Sequence, residues 1–456
     1  MNKKIVMFKV LISISVIFTF LSKGNASILE VGTGKKYPTI QSAIDVVTAG
    51  DTINIYSGLY KENIVVKDIL GTQGNPITLK PVENGVIVDA DLKGTGIYLD
   101  RVEWWVIGSE KYSMEIRNGY GGNTLDPDYT KGGGIVLRGC KYTTVNNVTI
   151  STTVTYYGIL GPGQSDQTVG DILVRYGHHN TIKNCKLTSK WSDVNLEAGG
   201  GGPLTIRGNI LSNGIRYPLK VSGVSSSIIE KNYISAIDHS TFPPGVATED
   251  GILTGYIRES AHHTIRYNIF DAGIGTNREE ALTLFDDANY TGSEAHMIYN
   301  NVFINGKHST VSLGNIQDSE FFNNIFINKK ENSYCVKFGN RNAYGNVFDY
   351  NIYDCQNNED DSNGIGLNNY RTLGAKNKSA DPKLFESGAL PIPYFQPQPE
   401  SPAIGAGLAI SGFEGTDFAG VNVPSQAPDI GPLQASPEAP VQDTIPPQPP
   451  ILLAIE

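Results

Sequence analysis

The sequence predicts an all-β chain that folds as a single-stranded right-handed parallel β-helix. Three observations predict this class: an asparagine-centred segment recurs along the chain, Gly and Tyr are abundant (50 and 23 of 456 residues), and long helical runs are few. A period near 23 residues with several short alternating segments is typical of coils that stack on one continuous core.

The repeat is an apolar residue, two variable positions, an asparagine and then alternating apolar residues, as in TIRYNIFDA (264–272) and EFFNNIFIN (320–328). Six copies carry the asparagine, at spacings of 23, 36, 33, 23 and 27 residues: Asn209, Asn232, Asn268, Asn301, Asn324 and Asn351. An amide at a tight bend tolerates left-handed dihedrals and bonds to neighbouring coils. We therefore expect one stacked column at a bend, with Cys185 in the asparagine position of an earlier, weaker copy.

The composition along the chain predicts three regions. Residues 1–26 combine early lysines, an apolar stretch and small residues up to Ala26, which is typical of a secretory signal peptide, with an uncleaved anchor as the alternative. Residues 27–434 are expected to form the β-helix domain, with a closing segment over 379–434, and 435–456 a proline-rich linker or tail. The mature protein is expected to be secreted, without a membrane span, and monomeric.

A short amphipathic helix is predicted near the start of the domain. Its apolar positions are Ile40, Ala43, Ile44 and Val47, and the Ala49-Gly50 pair ends it. Such a helix would cover the open end of the core, where apolar side chains and strand edges would otherwise face water.

The charge balance and the cysteines limit the partners. The formal net charge of -10 argues against nucleic acid. An acidic substrate would need a local cluster of cations or a bound metal, because the overall field repels it. The four cysteines show no metal-site spacing. If disulfides form, Cys335–Cys355 is the expected pair, and buried free thiols are the alternative.

A candidate functional column follows from the repeat. Counting twelve residues back from the first three ladder asparagines gives Glu197, Lys220 and Tyr256, which are expected on consecutive coils about 4.8 Å apart. Period-two alternation turns apolar neighbours such as Leu196 and Tyr217 inward. Polar and aromatic residues of the same outward face, including two from the next coil, are Asp193, Asn195, Arg216, Asp250, Thr254, Arg258, Glu279 and Phe285.

Segments near both ends of the domain resemble known proteins. Residues 37–66, with GTQGNPITLKP (71–81), resemble the N-terminal coil of pectin-lyase-like β-helix proteins, which include pectate lyases and the chondroitinase-B and alginate-lyase group. SADPKLF (379–385), SPAIGAG (401–407) and APDIGPLQ (427–434) resemble the closing segment of many secreted bacterial β-helix proteins. The resemblance implies a polysaccharide lyase that acts on an extended acidic polysaccharide containing uronic acid.

β-Elimination requires neutralisation of the uronate carboxylate, removal of the neighbouring proton and protonation of the leaving oxygen. Lys220 is the candidate base, since the like charge of Arg216 and Arg258 favours its neutral form. The arginines are candidates for stabilising the enolate-like charge, and Tyr256 for supplying the proton. Candidate substrate-binding residues on the same face are Asn195, Glu197, Thr254 and Phe285.

If a metal takes part, Ca²⁺ is expected, with oxygen ligands from Asp193, Asp250 and Glu279 beside Glu197. The resemblance is incomplete here, because the paired-glutamate calcium motif of the chondroitinase-B group has no counterpart before Lys220. Two other functions stay open. One is a non-catalytic surface protein that binds glycan, and the other is a glycoside hydrolase using Glu197 with Asp250 or Asp193.

Overall fold

The computed structural model describes thirteen parts of the chain. They are residues 26–121, 133–155, 170–189, 192, 194–214, 217–235, 253–273, 280–285, 295–339, 343–360, 371–385, 395–413 and 415–435. The expected signal peptide and the expected proline-rich tail therefore lie outside the described residues, apart from Ala26 and Ala435, and stay predictions.

Within these residues, 36 short strands form three sheets, and the chain passes from one sheet to the next in turn. The first sheet has 13 strands, in the stacking order β1 (Ile28–Val31), β2 (Thr52–Ile55), β5 (Ile77–Pro81), β8 (Trp105–Gly108), β11 (Thr144–Asn146), β14 (Asn180–Lys183), β17 (Leu204–Arg207), β20 (Ile228–Glu230), β23 (Thr264–Arg266), β26 (Met297–Tyr299), β29 (Glu320–Phe322), β32 (Asn346–Asp349) and β35 (Arg371–Leu373).

The second sheet has 12 strands, in the order β3 (Gly58–Tyr60), β6 (Val86–Asp89), β9 (Met114–Gly121), β12 (Val148–Thr155), β15 (Lys186–Leu187), β18 (Ile210–Ser212), β21 (Tyr233–Ser235), β24 (Ile269–Asp271), β27 (Val302–Ile304), β30 (Ile325–Asn328), β33 (Ile352–Cys355) and β36 (Lys378–Ser379). The third sheet has 11 strands, in the order β4 (Ile64–Lys67), β7 (Ile97–Asp100), β10 (Gly133–Arg138), β13 (Gly170–Arg175), β16 (Val194–Gly201), β19 (Tyr217–Val224), β22 (Gly255–Arg258), β25 (Leu282–Phe285), β28 (Ser309–Gly314), β31 (Tyr334–Phe338) and β34 (Asn357–Asp360).

One apolar core runs through the stack, from Leu29 in β1 to Tyr353 in β33. The strands reach it by alternation: in β4, Ile64 and Val66 are buried, whereas the residue between them, Val65, is exposed. Neighbouring strands pair in parallel, as between β16 and β19 and between β19 and β22. The predicted all-β parallel solenoid is confirmed.

The predicted N-terminal helix is present but shorter than expected. It spans Ile40–Ile44 (α1), and the Thr39 hydroxyl accepts a hydrogen bond from the Ser42 N–H as its N-cap. The Glu62 carboxylate also accepts bonds from the first two backbone N–H groups of the helix, at 2.9 and 3.0 Å. Val47 lies beyond the helix but is still buried.

The predicted asparagine column is confirmed at the bend between the first and second sheets. The backbone N–H of each asparagine donates to Oδ1 of the next one along the stack, at 2.9 to 3.0 Å, and the column extends to Asn377. The backbone dihedrals differ from the expectation, which placed the left-handed conformation at the asparagine itself. The left-handed residue at each bend is the one before the asparagine, such as Lys231 or Tyr267 with φ of 57° and 53°.

Replacement of Asn268 by leucine is expected to lower the free energy of unfolding by about 1–3 kcal/mol, because buried polar groups would lose their partners. Asn268 Oδ1 accepts the Asn232 N–H at 3.0 Å, and its Nδ2 donates to the carbonyl oxygen of Ile229 at 2.8 Å. Urea titration measures the change. A loss below about 0.5 kcal/mol would show that the column contributes little.

A second polar ladder lies at the bend that leads from the third sheet into the first. Fully buried His263 accepts a hydrogen bond at Nδ1 from the Ser227 N–H (3.1 Å), and buried His296 accepts one at Nδ1 from the His263 N–H (3.2 Å). The two rings stack with centroids 5.2 Å apart. Burial lowers the pKa of His263 to about 4 and that of His296 well below its usual value.

The expected disulfide joins Cys335 to Cys355, while Cys140 and Cys185 are buried free thiols. The sequence left disulfides and buried free thiols open, and the structure contains one disulfide and two buried thiols. The bond ties β31 in the third sheet to β33 in the second, within one coil of the C-terminal end of the stack.

The closing segment runs back along the outside of the solenoid. Its Phe395, Ile430 and Leu433 pack on Ile325 and other outward apolar side chains of the second sheet. Further back along the stack, the Phe413 ring lies 4.6 Å from the guanidinium carbon of Arg266. The described part of the segment therefore covers outward side chains of the second sheet and of the first.

Candidate active site

The candidate site lies on the outer face of the third sheet. Glu197 pairs with Lys220 across β16 and β19, and Lys220 pairs with Tyr256 across β19 and β22. The predicted register of this column is confirmed. The column continues to Thr283 in the next coil.

Glu197 holds two cations. Its Oε1 lies 3.2 Å from Lys220 Nζ, and its Oε2 accepts a hydrogen bond from Nη2 of Arg175 at 2.8 Å. The Glu197 side chain is only 3% exposed, whereas those of Lys220 and Arg175 are 23% and 32% exposed. A carboxylate this deeply buried is stable only when cations and hydrogen bonds compensate it. Glu197 therefore fixes the positions of Arg175 and Lys220 and presents no free oxygen to a substrate.

Two tyrosines flank the lysine. The Tyr217 and Tyr256 rings stack with centroids 5.2 Å apart, and Lys220 Nζ lies 5.8 Å from the Tyr217 ring centroid. Tyr217 was expected to point inward. Instead it packs on the cluster of outer-face residues that includes Leu173, because it is the first residue of β19, where the chain leaves the corner.

A second column runs beside the first, through Arg175, Gly199, Ser222, Arg258 and Phe285. Arg258 Nη2 lies 2.7 Å from the carboxylate of Glu259. The Phe285 ring lies over Gly314, where an added methyl group would come within 2.5 Å of the ring, so this position needs glycine. The two columns place three cationic side chains on one face of an acidic chain.

Two predicted substrate-binding residues, Asn195 and Thr254, are fully buried. Asn195 Nδ2 donates to Oδ2 of Asp171 at 2.9 Å, and its Oδ1 accepts the Gly214 N–H at 3.0 Å. Both residues lie close to a corner of the coil, at or just before the start of a strand. An outward-pointing side chain at such a position enters packed structure and does not reach the surface. Asn195 and Thr254 are therefore not part of the binding surface. Burial also raises the pKa of Asp171 to about 6.

The predicted metal ligands Asp193, Asp250 and Glu279 and the predicted catalytic Arg216 lie outside the described residues. The described residues contain no group of three or more His, Cys, Asp or Glu side chains placed to hold a metal ion. Glu197, the remaining candidate ligand, has both oxygens engaged by cations. The calcium site therefore stays a prediction.

Sequence reasoning missed Arg175. Counting twelve residues back from Cys185 gives Leu173, which pairs with Glu197, so Arg175 has the same outward parity two positions later. The weaker copy of the repeat carried the necessary signal. It was hidden because a cysteine replaces the asparagine there.

Comparisons with known proteins support the fold. A family model described as "Right handed beta helix region" matches residues 95–289. Among solved structures, the pectate lyase Pel9A aligns with a TM-score of 0.55 and 13% identity over 91% of this chain and 97% of that one. No curated protein matches in a sequence search.

Two further structures show less similarity. The GH136 lacto-N-biosidase from Eubacterium ramulus has a TM-score of 0.49 and 11% identity, over 77% of this chain and 67% of its own. An alginate lyase from Paenibacillus sp. str. FPU-7 has 0.47 and 13%, over 73% and 99%. Within the described part of the chain, no helix is long and apolar enough to cross a membrane. At these identities the likeness shows the fold alone: the protein is a right-handed parallel β-helix.

Proposed function

We propose that the outer face of the third sheet binds a uronic-acid polysaccharide and cleaves it by β-elimination. The observation that carries the proposal is the placement of Lys220. Its amine is partly exposed, held from one side by Glu197 and followed on the next coil by Tyr256. The signal-like sequence at the N-terminus supports export to where such polymers occur.

The residues divide the reaction between them. Lys220 in its neutral form removes the proton beside the carboxylate of the sugar. Tyr256 stands one coil along, about 4.8 Å away at the backbone, and donates a proton to the leaving glycosidic oxygen. Arg258 lies in the adjacent column and supplies positive charge where the enolate-like intermediate is negative.

Lys220 forms an ion pair with Glu197, which is interrupted when the lysine acts as a base. Glu197 keeps its second bond, to Arg175, when the lysine loses its proton, so the buried carboxylate is not left without a cation. The proposal that Lys220 is the base rests on this position.

The test is incubation with alginate, pectate, chondroitin and hyaluronan while the absorbance of the unsaturated product is followed near ~235 nm, with reducing ends measured in parallel. Elimination generates both signals. New reducing ends without the absorbance would indicate the hydrolase alternative. Absence of both signals with every polymer would overturn the lyase proposal.

A non-catalytic glycan-binding function is the second candidate. The contact that favours it is the ion pair of Lys220 with buried Glu197, which is what a purely structural lysine would form. The stacked pair of Tyr217 and Tyr256 gives the face partly exposed aromatic surface, which suits sugar binding. Tight binding to one of the four polymers without either product signal would favour this function.

The calcium prediction has its own test. If Ca²⁺ neutralises the substrate carboxylate, treatment with EDTA should lower turnover about 100-fold or more, because a bound cation contributes several kcal/mol of charge stabilisation. Re-addition of Ca²⁺ should restore the rate, and Mg²⁺, which prefers a tighter octahedral site, should restore it poorly. Undiminished turnover after exhaustive chelation would remove the metal from the mechanism.

A further inference from the structure

Two similar ion-pair clusters lie on different faces of the solenoid. On the first sheet, the buried carboxylate of Glu230 is bound by Arg207 and by Nε of Arg266, the latter at 2.6 Å. On the third sheet, the buried carboxylate of Glu197 is bound by Arg175 and Lys220. Each cluster is one carboxylate between two cations from neighbouring coils.

The two clusters differ in what covers them. On the first sheet the closing segment lays the Phe413 ring over the guanidinium of Arg266, and the Tyr299 hydroxyl accepts a hydrogen bond from its Nη1 at 2.7 Å. Among the described residues, the only hydrogen bond of the Arg175 side chain is the one to Glu197. The Arg175 guanidinium has five N–H donors, so its remaining donors are available to a ligand.

Within the described part of the chain, the surface beside Arg175 has room for a ligand. The next two residues of its column are Gly199 and Ser222, and Arg258 follows. A methyl group added at Gly199 would lie only 3.5 Å from Nη1 of Arg175, so the missing side chain leaves space directly beside the guanidinium. Arg175 and Arg258 are three coil steps apart, about 14 Å at the backbone.

We propose that Arg175 and Arg258 bind carboxylates of an acidic polysaccharide that lies along this column, over Gly199 and Ser222. The inference rests on the proposed function and names a contact for its substrate. An arginine fork matches a carboxylate geometrically, and Glu197 holds the Arg175 guanidinium in place before the sugar arrives. Lys220, in the adjacent column, then lies beside the bound uronate.

The test compares binding of oligosaccharides from alginate, pectate, chondroitin and hyaluronan with binding of their carboxyl-reduced counterparts, by calorimetry. All variants carry Tyr256→Phe, which removes the proposed proton donor so that turnover does not interfere, and Glu197 keeps Lys220 when Arg175 is replaced. Arg175→Gln should weaken binding of the acidic oligosaccharide about 10–100-fold and leave the reduced one unchanged. The matched control is Arg207→Gln, which removes the equivalent arginine from the first-sheet cluster and should change neither affinity.

A second pair of variants tests the space between the arginines. Ser222→Leu fills it without touching a charge and should weaken binding about tenfold or more. Ser312→Leu makes the same change at a half-buried outer position further along the third sheet and should have no effect. Equal effects of the two leucine variants would overturn the proposed position of the polymer.

The outcomes separate this inference from the proposed function. Equal losses for acidic and carboxyl-reduced oligosaccharides with Arg175→Gln, or no loss, would overturn the inference even if the protein is a lyase. Selective loss in a protein that never cleaves the polymer would uphold the inference and overturn the lyase proposal. Failure of the Tyr256→Phe protein and its parent to bind any acidic oligosaccharide would overturn both.

Discussion

Replacement of Lys220 by alanine is expected to reduce formation of unsaturated product about 10²–10⁴-fold while folding and polymer binding persist. The reason is that the variant removes the proposed base and little else. Buried Glu197 keeps its hydrogen bond to Arg175, and the lysine side chain itself is partly exposed. Initial rates with the polymer selected by the panel assay, together with a urea titration, measure both properties.

Lys337→Ala is the matched control for this variant. Lys337 occupies the same column four coils further along, half-buried on β31, where it faces the same side of the sheet. Its removal should leave the rate within about twofold of the parent. Lys220→Arg should not restore activity, because a guanidinium does not give up its proton at accessible pH. A Lys220→Ala protein that works at nearly the parental rate would end the assignment and make Tyr256 the next candidate.

Acidification is expected to destabilise the protein through the buried His263 and His296. Both are neutral in the folded state, with the pKa of His263 near 4 and that of His296 well below its usual value, whereas in the unfolded chain both titrate near ~6.5. As the pH falls below the unfolded value, the unfolded chain binds protons that the folded one does not. Well below the unfolded pKa each histidine therefore costs about 1.4 kcal/mol per pH unit. Between ~pH 6.5 and ~pH 5 the pair costs about 3 kcal/mol, because the unfolded histidines are already half protonated at the upper limit.

Asp171 opposes this trend. Its folded pKa of about 6 lies above the unfolded value, so the folded state binds an extra proton as the pH falls from about 6, and this contribution to stability grows. The total pH dependence of stability therefore mixes the two effects. Comparison with a variant that lacks the two histidines measures their contribution to the free energy of unfolding separately.

The double variant His263→Asn, His296→Asn provides this comparison. Asparagine can accept the same backbone hydrogen bond, as Asn346 does two bends beyond His296 by accepting the Ser319 N–H at 3.1 Å. The difference in free energy of unfolding between parent and variant should change by about 3 kcal/mol between ~pH 6.5 and ~pH 5. His179→Asn on the exposed corner serves as control and should show no comparable change. A difference that stays constant over this window would contradict the assignment.

The repeat determined most of the fold. Equal segment lengths around Asn209, Asn232 and Asn268 were enough to fix the register of Glu197, Lys220 and Tyr256, since parallel strands in stacked coils must align where their bends align. The asparagine column also followed from local spacing, whereas for Cys335 and Cys355 the sequence left a disulfide and free thiols open. These features depend on contacts within a coil or between adjacent coils. Such contacts recur with the repeat and can therefore be predicted from its spacing.

The candidate site was predicted less completely. Parity assigned Asn195 and Thr254 to the outer face, yet the structure buries both, and it turns Tyr217 outward at the start of its strand. Parity gives the direction of a side chain in the middle of a strand only. At a corner the backbone no longer follows the pleat of the strand, so the alternation of side-chain directions breaks down. Whether a side chain there is buried depends on segments that are distant in the sequence.

The sequence by itself therefore determined the solenoid, its register and the face that carries Lys220, because a repeating coil makes only nearest-neighbour contacts. The tertiary structure alone decided which of two outward arginines, Arg266 on the first sheet or Arg175 on the third, is covered. The closing segment returns over many coils to cover Arg266, and among the described residues nothing comparable covers Arg175. No period connects Phe413 with Arg266, so the difference between a covered arginine and an available one appears only when the whole chain is folded.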